Sequence, residues 1–257
     1  MNRLTLAQVT LCAVDCDTPA LSARALLQAQ RGIAFGRVVL FTRGWLPTVV
    51  LPGLEVVDIA PLDDAAARAD FVARRLHAYV NTSHVMLLRW DAGVLDAAAW
   101  NDEFLVPDYL AALPAPGDGS GPPGLSLRSR RWLRAGADPR FTEPLLDDGL
   151  LCGAHRGFLQ AVHGVHFAPE ALARRFAAVG DAAGGGCLGF VGAEHLPAQL
   201  GEAETLELVR RLPAGFVDGP GVAAFEAALR AGRMGAALEA LQQRQHSRRV
   251  TGSPTPA

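Results

Sequence analysis

From Leu4 to Asp91 the chain repeats one pattern: a short apolar run that stops at a polar residue, then a stretch with helical periodicity. The runs cover Leu4–Val14, which stops at Asp15, residues 36–42, which stop at Thr42-Arg43-Gly44, residues 54–59, and residues 84–91. In the last of these, large apolar side chains give way abruptly to Trp90-Asp91. Short apolar runs bounded by turn signals read as buried strands, although periodicity alone leaves a buried helix open. Between the runs, Thr18 or Ser22 starts a helix through about Gln30, and Asp63 and Asp64 cap a helix running to Val80. Its Val72, Leu76 and Val80 lie on one stripe. Strands alternating with helices imply βαβ units, hence an α/β fold with a mostly parallel sheet flanked by helices. Such sheets bind ligands beyond the carboxyl ends of their strands. Asp15, Thr42-Arg43 and Asp91 are therefore candidate site residues, each also readable as a cap or turn residue.

The rhythm changes after Asp91. Asp96 caps a short helix carrying Trp100, and residues 113–123 are dense in Gly and Pro and read as an exposed loop. Residues 124–129 form a short strand or turn and 130–135 a helix. Asp147-Asp148 then lead a helix over 150–162. A short strand over 164–167, a helix over 169–176 and a glycine turn at 184–186 follow. Ala-, Leu- and Glu-rich helices over 202–212, 222–231 and 234–245 close the ordered chain. Part of the last resembles half of a tetratricopeptide-type repeat, and a single such unit cannot bury its own face. It therefore reads as a packed helical appendage. The expected organisation is a domain over 1–200, the appendage over 201–246 and a disordered tail over 247–257.

Composition narrows the function classes. Half of the 257 residues are hydrophobic, enough for a sizeable core, and a net charge of −2 argues against a nucleic-acid binder. All 24 basic residues are Arg, so no Lys serves as a Schiff-base former or phosphate-loop ligand. Cys12, Cys16, Cys152 and Cys187 form no CxxC pair and read as reduced structural thiols. No signal-peptide layout and no membrane-length apolar run stand in the sequence, which makes a cytoplasmic protein the expectation. Neither a Gly-rich phosphate loop nor G-x-S-x-G occurs, and His155, His163 and His166 fit no common zinc spacing. Trp90 and Trp100 read as core. Arg128, Arg130, Arg131 and Arg134 read mostly as a solvated helix face, with Arg128, just after Ser126, suited to pair with a diphosphate.

Six segments together carry a family resemblance: residues 9–15 (VTLCAVD), 35–42 (FGRVVLFT), 82–91 (TSHVMLLRWD), 99–104 (AWNDEF), 124–129 (GLSLRS) and 165–169 (VHFAP). Over roughly residues 8–195 the chain is similar to an uncharacterised family of GT-A-like glycosyltransferase domains. The resemblance implies a GT-A-like, Rossmann-related mixed sheet that binds a nucleotide-sugar donor and passes a hexosyl or related group to a glycan, protein or small-molecule acceptor. It places Asp15, Thr42 and Arg43 near the nucleotide. It puts Asp91 at the acidic motif that holds a divalent metal, Mn or Mg, on the diphosphate. Ser126 and Arg128 fall in the acceptor-side wall, and Asp147 or Asp148 becomes the general base on the acceptor hydroxyl. The chain departs from the family pattern at three points. The usual Asp-x-Asp is Asp91-Ala92-Gly93, consecutive glycines are replaced by Pro122-Pro123-Gly124, and Val191 stands where the family has His, with His195 four residues on. Two readings follow: a metal-assisted glycosyltransferase, or a catalytically degenerate binding or scaffold protein on the same fold.

Overall fold

The computed structural model describes residues 3–112, 124–143, 146–180 and 186–251. Four parallel strands form the centre: β1 (Leu4–Val14), β2 (Ile33–Thr42), β3 (Glu55–Asp58) and β4 (His84–Leu88). Two later strands, β6 (Tyr109–Ala111) and β7 (Leu125–Ser129), extend the sheet, with β7 antiparallel to both of its neighbours. The strand order is β3-β2-β1-β4-β7-β6. Three more short strands, β5 (Ala92–Val94), β8 (Ala177–Val179) and β9 (Gly189–Val191), form a second sheet in the order β5-β9-β8. The expected mixed, mostly parallel sheet flanked by helices is what the structure has.

Both faces of the main sheet are buried, which is why its strands read as continuous apolar runs. Leu11, Leu40, Met86 and Leu127 face one core with Leu26 of α1 (Pro19–Ala29) and Phe176 of α6 (Glu170–Phe176). Cys12, Phe41 and Val85 face the other. There they meet Phe71 and Leu76, Trp132 of α3 (Arg130–Gly136), Leu151 of α4 (Asp148–Cys152) and Leu159 of α5 (Arg156–His163). Between Leu6 and Thr10, β1 bulges against β2, and Gly36 sits opposite, where a Cβ would lie 2.1 Å from the Ala7 carbonyl oxygen.

Several local expectations change. The helix from Asp64 is α-helical only over α2 (Ala65–Asp70), then widens to a π-turn over Phe71–Arg75 and tightens to a 3-10 turn over Leu76–Ala78. Phe71 packs on Phe41 and Tyr79 there, and α3 crosses so closely that a Cβ on Gly136 would lie 2.6 Å from the Ala73 carbonyl oxygen. Packing thus sets the local winding. The helix expected over 150–162 is two, α4 and α5, separated by Gly153 at φ −96° and ψ −96°. Residues 164–167 contribute one bridge, Tyr109 to Phe167, in place of a strand. The loop expected over 113–123 lies outside the described residues.

The chain divides into two compact units, Met1–Val191 and Gly192–Ala257. The first holds both sheets. The second is helical: α7 (Leu196–Arg211), α8 (Ala214–Val217), α9 (Val222–Ala231) and α10 (Gly235–Thr251). Gly201, at φ 74°, kinks α7. Arg244 of α10 donates to the Val209 and Leu212 carbonyls, where α7 has run out of intrahelical donors. The helix continues through Ser247–Thr251, part of the segment expected to be disordered, and Arg248 pairs there with Asp218 at 2.6 Å. No helix among the described residues is long and apolar enough to cross a membrane.

Candidate functional site

The strand order creates a switch point. From β1 the chain runs outward to β2 and β3, then returns to place β4 on the other side of β1. The carboxyl ends of β1 and β4 therefore lie side by side, with α1 packed against β5, and this is the point at which such sheets bind ligands. Asp15 follows β1 on one side of it and Arg89-Trp90-Asp91 follow β4 on the other.

Asp15 is buried and saturated. One oxygen accepts from the Asp17 and Thr18 amides at 2.9 and 2.8 Å, the other from the Thr18 and Ser22 hydroxyls at 2.9 and 2.6 Å. The carboxylate thereby shapes the turn that leads into α1. Next door, the Thr42 carbonyl accepts from the Ile59 amide at 2.9 Å, while its hydroxyl is buried without a hydrogen-bond partner among the described residues. Arg43 is exposed, and the Gly44 amide donates to Asp58 at the end of β3 at 2.7 Å.

At the end of β4, Asp91 is held by a residue that sequence reasoning did not single out. Arg89 donates through Nε and Nη2 to the two oxygens of Asp91, both at 2.6 Å. The Asp91 side chain is 9% exposed and that of Arg89 44%. Burial works against the guanidinium charge, and the paired carboxylate more than restores it, so Arg89 stays firmly cationic. From α1, Arg24 reaches the Trp90 carbonyl at 3.4 Å. The available signal was the spacing: two chain positions apart at a strand end, Arg89 and Asp91 lie on one side of the chain.

Ser126, Arg128 and Asp148 meet elsewhere, on the face of β7 that looks toward α4. Leu125 and Leu127 alternate with Ser126 and Arg128, and all four are buried. Arg128 donates through Nε to Ser126 Oγ at 3.0 Å and through Nη2 to Asp148 at 2.6 Å. It lies over the Tyr109 ring, 5.6 Å from the centroid. Its side chain is 1% exposed and that of Asp148 8%. Asp147 caps α4 by accepting from the Leu150 amide at 2.8 Å. Burial pushes the nearby Cys12 and Cys152 thiols up to about 12, so neither is a thiolate nucleophile near neutrality. Sequence reasoning placed Arg128 on a ligand and Asp148 on an acceptor, whereas here each partners the other. The alternation in LSLRS, with an Arg on a strand buried on both faces, was the signal for a buried carboxylate partner.

A concavity of about 720 Å³ lies at the edge of the sheet, near the start of β6, lined by Val106, Pro107, Arg131, His166, Phe167 and Leu172 among others. Behind it, Asp108 accepts from Ser129 Oγ at 2.6 Å and the His166 amide at 2.9 Å.

No protein family's sequence model matches the chain, and no curated protein matches it. Among solved structures it is similar to a mannosyltransferase from Pyrobaculum calidifontis, solved in complex with GDP-Man and Mn2+. Identity is 12% over 96% of this chain and 76% of that one, with a TM-score of 0.42. It is also similar to the apo form of the glycosyltransferase GlyE of Streptococcus pneumoniae TIGR4, at 12% identity over 66% of this chain and 46% of that one, with a TM-score of 0.39. Both are glycosyltransferases; this chain spans about half of the second.

Proposed function

We propose that this chain is a glycosyltransferase that takes a sugar from a nucleotide-sugar donor at the switch point and passes it to an acceptor hydroxyl. The carrying observation is the strand order, which sets the carboxyl ends of β1 and β4 side by side, with the Asp15 turn after one and the Arg89–Asp91 pair after the other. The second sheet begins immediately after Asp91, so the same point adjoins a second wall. In this reading the Asp15 turn, Thr42 and Arg43 take the nucleoside. Ser126 and Arg128 underlie the acceptor side.

In the reaction the bond from the anomeric carbon to the diphosphate oxygen breaks, and the electron pair leaves with the diphosphate. The acceptor oxygen bonds to that carbon and gives its proton to a carboxylate. Of the two carboxylates at the start of α4, Asp147 is the freer: one of its oxygens caps the helix and the other has no hydrogen bond to the described residues, whereas Asp148 neutralises Arg128. A thermal-shift panel of nucleoside diphosphates and their sugar conjugates tests the reading. A ligand at 100 times its Kd stabilises by about 2.7 kcal/mol, so the right nucleotide raises the melting temperature. No shift with any member sinks the proposal.

A second reading, a binding protein on the same fold, draws on the saturation of Asp15 and Asp91 by protein groups and the pairing of Asp148 with Arg128. A donor that binds but is neither transferred nor hydrolysed, by wild type or Asp147→Asn alike, supports it.

A further inference from the structure

The family resemblance calls for a divalent cation on Asp91, and the donor set around Asp91 does not fit one. Both Asp91 oxygens already accept charge-assisted hydrogen bonds at 2.6 Å. The position two residues on, where the second carboxylate of an Asp-x-Asp belongs, is Gly93 in β5, paired with Phe190 of β9. A Cβ at Gly93 would lie 2.7 Å from the buried Phe190 ring, so a side chain there would have to displace that ring from the packing of the second sheet. Ala92 pairs with Val191, which carries no ligating atom. No three His, Cys, Asp or Glu residues among the described residues stand together to hold a metal.

The same atoms offer another way to hold a diphosphate. A guanidinium has five N–H donors in a rigid fork that matches phosphate oxygens. Arg89 spends Nε and Nη2 on Asp91, and Nη1 makes no hydrogen bond to the described residues. The side chain is 44% exposed, in contrast to the buried Arg128, and it directly follows β4, one of the two strands of the switch point. Its partner Asp91 is buried, so the pair has a fixed end and an accessible end.

We propose that Arg89, oriented by Asp91, is the group that binds the diphosphate of the donor and takes up the charge developing on it, with no divalent cation in the site. The inference rests on the glycosyltransferase reading and deepens it. Asp91 is a positioning residue: it holds the guanidinium still, so that no reorganisation is needed as the diphosphate departs.

The test is calorimetric titration of the full chain with UDP, GDP, ADP, CDP and dTDP, first in excess EDTA and then in excess Mn2+. The expected result is one diphosphate whose affinity is the same in both conditions. Arg89→Met weakens it about tenfold or more, and Arg89→Lys, which keeps the charge but loses the fork, falls between. The matching nucleoside monophosphate loses less on Arg89→Met. Far-UV circular dichroism shows that each variant is folded, and Arg89→Lys carries the test if Arg89→Met is not. Diphosphate binding that needs Mn2+, or that Arg89→Met leaves unchanged, overturns the inference and leaves the glycosyltransferase reading standing. If no diphosphate binds in either condition, both fall.

Discussion

Arg128 and Asp148 show how a buried charge dictates its surroundings. Removing one partner leaves the other uncompensated in a dry layer. Asp148→Ala is therefore expected to cost about 3–5 kcal/mol in urea unfolding, while the double change Arg128→Met/Asp148→Leu costs far less. A small loss for Asp148→Ala alone would show that water reaches Arg128. Asp108 makes a pH-dependent contribution. Burial pushes its pKa up, but hydrogen bonds from Ser129 and His166 and the charge of Arg131 outweigh that and hold it below its ordinary 3.8. A carboxylate depressed in the folded state stabilises above its unfolded pKa, and the contribution is lost as pH falls through the folded value. Wild type and Asp108→Asn should therefore differ in stability at neutral pH and converge in acid. A gap that does not narrow at all as the pH falls below 3.8 would assign the effect to packing.

At the level of elements, two close approaches depend on glycine. Gly36→Ala would drive a methyl into the Ala7 carbonyl at the β1 bulge and is expected to cost about 1–3 kcal/mol, read from the urea midpoint. Gly93→Asp is the sharper case, because it would write an Asp-x-Asp into the sequence. Phe190 occupies the space, so the variant is expected to lose stability and gain no Mn2+ binding by calorimetry. Tight Mn2+ binding by a stable Gly93→Asp would show that β5 and β9 open readily. The helix after Asp64 makes the same point about packing. Its apolar stripe is plain in the sequence, yet its winding passes from α to π to 3-10 because Phe71 and Leu76 must both reach the core beside Phe41 and α3.

For the whole molecule, the switch point lies at the carboxyl ends of the central strands β1 and β4, and the cleft beside Val106 and His166 lies by the start of the edge strand β6. Hydrogen exchange with the matching nucleotide should slow amides in the turns after β1 and β4 and leave those at 106–108 and 166–167 unchanged. Protection confined to the second group would move the site to the β6 edge. The α/β class, the four parallel strands and the Asp15, Thr42-Arg43 and Asp91 positions were legible because strands buried on both faces must be apolar and must end where polarity returns. The three-residue strands β5, β6, β8 and β9 were not legible, since each is too short to show a period and forms only against a partner distant in the chain. Nor was the partner of Arg128. Local pattern set Asp91 at the end of a buried strand but read Arg128 mostly with a solvated helix face, because a guanidinium on a strand finds its carboxylate across space. Register and packing therefore set Arg128 on Asp148 and Phe190 over Gly93, whereas Arg89 and Asp91 meet through local spacing.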